Sequence, residues 1–155
     1  MIKRILITLS FLGLVACGGP DESAAVPEAQ PAGATNADIG DHIVHFSALS
    51  TDQLPPEVAR AYNIVRSKNR AMLNVSVLQE SDGTPVTAEV TVKTVNLTGQ
   101  LKSVTMRQIN EQDAIYYIGE VPVANRETLI FDISVRPEGV DTASDVRFKR
   151  QFYTD

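Results

Sequence analysis

A single cysteine, no tryptophan, five phenylalanines, four tyrosines and three methionines are spread over 155 residues. One cysteine allows no intrachain disulfide, so in an oxidising compartment stability must come from the core alone. No apolar run reaches the roughly twenty residues of a membrane-crossing helix. Positive charge is the minority, with 14 Lys and Arg against 19 Asp and Glu, a net −5. That balance argues against a nucleic-acid surface, which would be basic, and against broad electrostatic adhesion to anionic lipid. No Gly-x-Ser-x-Gly nucleophile elbow is present, and paired acids such as Glu111/Asp113 and Asp141/Asp145 sit in turns, where solvated carboxylates are ordinary. The composition points away from an enzyme.

What is present starts with the leader. Lys3 and Arg4 precede the apolar run Ile5 to Val15, which closes in Leu14-Val15-Ala16-Cys17. Charge, short apolar segment and small residues before a cleavage point make a signal peptide over residues 1–16. Leu at −3, Ala at −1 and the cysteine resemble the lipobox of bacterial lipoproteins, with Cys17 as the lipid-bearing first residue. Three acyl chains, at about 0.8 kcal/mol per buried methylene, would anchor it permanently. Gly18 stands where Asp often retains enteric-type lipoproteins in the inner membrane, so the expected location is the outer membrane, facing the periplasm. Without Lys3 and Arg4 the 14 basic residues fall to 12 against 19 acidic, about −7.

Residues 17–39 hold Ala, Pro, Gly, Glu, Gln and Asn, with Asp21, Glu22, Glu28 and Asp38 and no base. Such a segment cannot bury enough apolar surface to order itself. It is expected to be a disordered tether with a typical reach of about 25 Å. The remaining residues, 40–155, suit one domain.

From residue 40 the apolar period is two. Expected strands are Ile43 to Leu49, Met72 to Leu78, Val86 to Val92, Leu101 to Ile109, Ala114 to Val121, Thr128 to Arg136 and Asp145 to Tyr153. Leu129, Phe131, Ile133 and Val135 give the clearest single face, and a parity change at Val95 and Leu97 suggests a bulge or strand end near Thr94. Ser81-Asp82-Gly83, Leu97-Thr98-Gly99, Asn125-Arg126 and Pro137-Glu138-Gly139 punctuate them. Seven short strands with tight turns predict an all-β fold, an immunoglobulin-like β-sandwich with one short helix; a small closed barrel is the alternative. The helix is expected over Pro55 to Tyr62, with Val58, Tyr62 and Val65 as the stripe covering an open end or edge of the sandwich.

The densest charge is Arg66-Ser67-Lys68-Asn69-Arg70, three cations in five residues of an acidic chain. With Tyr62 and Asn63 beside it, this segment is the candidate docking surface for an acidic partner or anion; the plainer reading is a solvated connection paired with local acids. Tyr116 and Tyr117 fall on opposite faces of one strand. Tyr117 is the candidate exposed contact, since tyrosine is favoured at interfaces. His42 and His45 suggest a metal pair, and Met72 and Met106 could add sulfur. Strand positions three apart point to opposite faces, however, so no metal or other cofactor is expected.

The run Tyr62 to Leu78 (Tyr-Asn-Ile-Val-Arg-Ser-Lys-Asn-Arg-Ala-Met-Leu-Asn-Val-Ser-Val-Leu), together with Ala114 to Ile118, Val135 to Gly139 and Phe148 to Asp155, resembles a family of exported bacterial proteins catalogued only as a domain of unknown function. The resemblance spans residues 40–155. It implies one small β domain outside the cytoplasm and supplies no activity, ligand or catalytic residue. Many relatives look like plain secreted proteins, so the lipobox is a departure. The resulting expectation is a non-enzymatic interaction module that binds another envelope protein or a peptide, anchored to the membrane by lipid and not binding nucleic acid. The alternative is a small-molecule or copper-like metal carrier.

Overall fold

A computed structural model describes Gln30 and residues 33–155. The leader, Cys17 and the tether upstream of Gln30 lie outside the described residues. Among those described, no helix is long and apolar enough to cross a membrane.

Nine strands form two antiparallel sheets. They are β1 (Asn36–Ile39), β2 (His42–Ser50), β3 (Arg70–Gln79), β4 (Ala88–Asn96), β5 (Leu101–Ser103), β6 (Arg107–Glu111), β7 (Ala114–Pro122), β8 (Glu127–Pro137) and β9 (Ser144–Phe152). One sheet runs β1-β2-β3-β7-β6 and the other β5-β4-β8-β9. With β1 set aside, these orders are the two sheets of an immunoglobulin-like sandwich. The fold class expected from the alternation is the one found.

The core follows from strand parity. On β8, Leu129, Phe131, Ile133 and Val135 are all fully buried, while Asp132, Ser134 and Arg136 alternate outward. Val44, Phe46 and Ala48 of β2, Leu73, Val75 and Val77 of β3, and Val146, Phe148 and Phe152 of β9 meet them between the sheets.

Four expectations need correction. The sheet starts inside the segment read as tether, because Asn36–Ile39 pairs with His42–His45 around a two-residue turn in which Gly40 takes φ 68°. Ala37 supplies the small apolar contact that ties β1 to the core.

The run from Leu101 to Ile109 is two strands in different sheets. Leu101–Ser103 pairs with β4, and Arg107–Glu111 pairs with β7. Val104 to Met106 cross between them over Gly119. A Cβ on Gly119 would lie 2.5 Å from Val104 Cγ1, 2.6 Å from Met106 Sδ and 3.1 Å from the Thr105 carbonyl. Only glycine leaves room for the crossing. Gly119→Ala is expected to lose about 1–3 kcal/mol in urea unfolding, as overpacking does. Adding Val104→Ala should recover part of that loss.

Of the bulge or strand end expected near Thr94, no bulge interrupts β4, and the strand ends two residues on at Asn96. It stays in register with β8 through Thr94↔Phe131 to Asn96↔Leu129. Thr94 simply takes an inward position, 1% exposed, which leaves Val95 on the outer face opposite Leu101 and Ile130.

The helix, α1 (Pro56–Ala61), follows a 3-10 turn at Thr51–Gln53. It covers neither end nor edge. Leu54, Ala59 and Ile64 pack with Met72 and Ile118 as a second apolar cluster, with Leu49, Ile109 and Tyr116 around it. Those strand residues lie on the outer face of the five-stranded sheet. Val58 and Tyr62 join this cluster, but Val65 is 66% exposed. The sequence stripe ran one turn too far.

Candidate functional site

The segment from Tyr62 to Arg70 is positioned by a short chain of causes. Asn63 stops α1 in the left-handed region, φ 52°. The Asn63 N–H then bonds the Arg60 carbonyl at 3.1 Å and the Ile64 N–H bonds the Ala59 carbonyl at 2.7 Å. This is the Schellman pattern, in which asparagine tolerates the conformation that glycine usually supplies. The backbone accounts for Asn63 without any ligand.

Tyr62 is a pin. Its carbonyl accepts from the Arg107 guanidinium and its hydroxyl donates to Glu111, fastening the end of α1 to β6. The Glu111 hydrogen bond, then burial and the Glu111 charge, push the Tyr62 hydroxyl up to about 12. It stays protonated in this arrangement.

Thr51 holds the basic loop, a role its sequence context did not reveal. It is fully buried. Its hydroxyl donates to the Val65 carbonyl at 2.8 Å and accepts from the Ser67 N–H at 2.9 Å. Arg66, Lys68, Asn69 and Arg70 beyond it are all exposed. The Arg66 guanidinium donates to the Asp52 carbonyl at 2.6 Å, and Lys68 Nζ to the Asp155 main-chain oxygen at 3.2 Å. Asn69 works through its backbone, with its carbonyl accepting from Val123 N–H at 2.9 Å. Arg70 pairs with Glu120 at 3.2 Å, with side chains 48% and 24% exposed. Of the three cations, only Arg70 makes an ion pair among the described residues. Surface contacts of this kind hold each group weakly.

Tyr117 is not part of this surface. It is 4% exposed in the main core, and its hydroxyl accepts the Ala88 N–H at 2.7 Å, tying β7 to β4 across the sandwich. Parity explains the correction, because Ile115, Tyr117, Gly119 and Val121 share the inward face. Tyr116 points outward but packs against the second cluster.

Beside the basic loop lies a cleft that reading the motifs missed. Strand β1 pairs only with His42–His45, and one further bond joins Phe46 N–H to the Thr35 carbonyl. Among the described residues β2 has a bare edge from Ser47 onward, and β9 is the edge strand of its own sheet. Between them opens a cleft of 410 Å³ lined by Ser50, Gln53, Lys149, Arg150, Gln151 and Tyr153, among others. Lys149 and Arg150 are exposed, and neither makes an ion pair among the described residues. Among the described residues no acid lines the cleft. Arg66 bonds the carbonyl of Asp52, the neighbour of the lining residue Gln53, and Lys68 bonds Asp155, two residues past the lining residue Tyr153. The sequence carried one signal, since Arg150 breaks the inward apolar series Val146, Phe148 and Phe152.

The other candidates do not converge. His42 is buried on the inner side of β2, while His45 faces outward. Met72 belongs to the outer cluster, and Met106 packs against the main core. Among the described residues no group of three His, Cys, Asp or Glu is placed to hold a metal ion. Glu111 and Asp113 line an open depression at the β6–β7 turn, in which Thr87 is the one hydroxyl-bearing residue among the described lining.

Residues 36–155 match the family described as Domain of unknown function (DUF4426). A crystal structure of a DUF4426 family protein from Pseudomonas aeruginosa is 34% identical, with a TM-score of 0.68, covering 77% of this chain and 94% of that one. A copper-bound variant of FetP from uropathogenic Escherichia coli is 10% identical at a TM-score of 0.57, covering 77% of this chain and 95% of that one. FetP from the same source, as isolated after expression in the periplasm, is 10% identical at 0.54, covering 76% and 92%. At that identity the likeness is one of fold. Among curated proteins nothing matches. Sequence profile and structure agree, and the chain belongs to the DUF4426 family.

Proposed function

We propose that this protein is a non-enzymatic interaction module of the bacterial envelope, held at the outer membrane through Cys17 and facing the periplasm. Its partner is an envelope protein or peptide with acidic character. The observation that carries the reading is that Lys149 and Arg150 line one cleft between strand edges, with Arg66 and Lys68 bonded to Asp52 and Asp155, close in sequence to its lining residues Gln53 and Tyr153. A bare edge offers main-chain hydrogen bonds to an extended segment, and the cations select its charge.

The test is in-cell photocrosslinking with the crosslinker at Lys68, compared with Lys93, which is exposed on the far sheet. A discrete adduct from Lys68 alone is expected. Equal adducts from both positions, or none with the protein folded and exported, would sink the docking reading. Thr51→Val removes the hydroxyl that holds Val65 and Ser67 and should lower both the Lys68 yield and stability, the latter by about 1–3 kcal/mol. Thr51→Ser keeps the hydroxyl and should keep the yield.

Metal carriage is the second reading. The fold shared with copper-bound FetP favours it, and the opposite placement of His42 and His45 weighs against it. Under the docking reading, copper leaves the thermal midpoint unchanged; a rise with copper that is lost in His42→Ala would favour the carrier instead.

A further inference from the structure

We propose that the outer face of the four-stranded sheet holds a second site, which takes a di- or tripeptide through its free ammonium and carboxylate ends. The site is a cleft of 360 Å³ lined by Thr91, Lys93, Asp132, Ser134, Asp145 and Arg147. Strand register sets these residues in a grid. Lys93, Asp132 and Arg147 lie abreast on β4, β8 and β9, and Thr91, Ser134 and Asp145 lie abreast in the next row. All point away from the core, because the residues between them, Val92, Ile133 and Val146, are the inward ones. Asp132, Ser134 and Arg147 are half-buried and make the floor, while Thr91, Lys93 and Asp145 are exposed and make the rim.

The pairing of charges separates this grid from an ordinary solvated sheet face. Asp132 stands directly across from both Lys93 and Arg147. Both of its oxygens go to Arg147, Oδ1 to Nε and Oδ2 to Nη2, the latter at 2.8 Å. A bidentate fork of this kind fixes both groups in place. Among the described residues Lys93 is left without an acid and Asp145 without a base. One row beyond, by contrast, Glu89 and Arg136 neutralise each other.

The result is a neutral cleft with a free cation at one corner and a free anion at the opposite one. Its complement is a zwitterion. A carboxylate fits beside Lys93 and Thr91 on β4, an ammonium beside Asp145 on β9, and an amide between them over Ser134. Length follows from the sheet. Lys93 and Asp145 lie two strands apart, about 10 Å at the usual spacing, and a chain spans at most about 3.5 Å per residue. A single amino acid is too short for that span, and a long peptide carries its ends past both corners.

This inference does not rest on the docking reading. The two clefts share no lining residue, and a peptide of this size adds no protein band to the Lys93 control.

The experiment is titration of the full chain with trialanine, read by backbone amide NMR shifts. Saturable shifts centred on Lys93, Ser134 and Asp145 are expected. Acetylating the peptide amine should weaken binding roughly three- to fivefold, the worth of one exposed ion pair, and make no difference in Asp145→Asn. Amidating the peptide carboxylate should do the same, and make no difference in Lys93→Gln. Both positions are exposed, so the variants keep the fold. No saturable shift, or equal binding of free and doubly blocked peptide, would overturn the proposal, as would a blocking penalty that survives in the matching variant. Shifts centred on Lys149 to Tyr153 would assign the peptide to the other cleft and overturn it as well.

Discussion

Glu127→Ala should cost about 3–5 kcal/mol, measured as a fall in the urea midpoint with an unchanged slope. Glu127 opens β8 and is the acceptor at a junction of three elements. Lys102 of β5 donates to it at 2.6 Å, the Ala124 N–H at 2.8 Å and Asn96 Nδ2 of β4 at 3.0 Å. The Lys102 and Glu127 side chains are only 12% and 11% exposed. Removing the carboxylate leaves an ammonium group largely out of water with the Pro122 carbonyl, at 2.8 Å, as its remaining partner. An uncompensated buried charge costs far more than an exposed pair contributes. Replacing both residues, as in Glu127→Ala/Lys102→Met, should therefore be milder than Glu127→Ala alone. The effect has a pH signature. Burial, the largest influence, pushes the Glu127 carboxyl up, but the Lys102, Asn96 and Ala124 hydrogen bonds together hold it below its ordinary value. A carboxylate lowered in the folded state contributes stability that is present above the unfolded value of 4.5 and lost as pH falls through the folded value. The gap between the unmodified chain and Glu127→Ala should accordingly be full at neutral pH and shrink in acid. A gap that stays constant with pH would assign the loss to packing instead of charge.

Much of the architecture was legible because one physical signal dominates it. Where a strand buries one face only, apolar residues must recur every second position, and β8 and β4 declared themselves this way. The failures occurred where that signal is absent or shared. Strand β1 has only Ala37 and Ile39 as apolar contacts with the core, at the end of a segment of acidic and small residues, so composition pointed to a tether. Residues 101–109 keep an extended pattern while changing sheets, and periodicity is blind to which sheet a strand joins. Only Gly119, on a different strand, marks the crossing. The basic loop was visible as a charge cluster, but its support was not. Thr51 lies 14 residues from Val65 in sequence, and nothing local marks a threonine as a loop anchor. Tyr117 was misassigned because two adjacent tyrosines look alike until the inward face is fixed by Ile115 and Val121. Asn63 looked like a polar contact, and its role is a backbone angle that no composition argument reveals. The cleft itself depends on β1 being shorter than β2, a tertiary fact.

Phe131→Ala should cost about 3–5 kcal/mol, the range for truncating a buried phenylalanine. Phe131 of β8 is fully buried. It stacks on Phe148 of β9 with centroids 4.9 Å apart, and Phe148 meets Phe46 of β2 at 4.7 Å. The three rings form one column from the middle of the four-stranded sheet to β2 of the other sheet. Aromatic pairs at such distances contribute beyond the area they bury, so the loss should exceed the transfer term of the ring alone. The column also fixes the distance between β9 and β2, and hence the width of the cleft that Ser50, Gln53 and Arg150 line. Two consequences separate this from ordinary core damage. Phe131→Ala and Phe148→Ala should be non-additive, because each removes the same stacked contact. A comparable truncation away from the column, Leu73→Ala, should lower stability while leaving the Lys68 crosslinking yield of the folded fraction unchanged, whereas Phe131→Ala should lower both. Equal yields for the two variants would show that the column stabilises the sandwich without shaping the cleft.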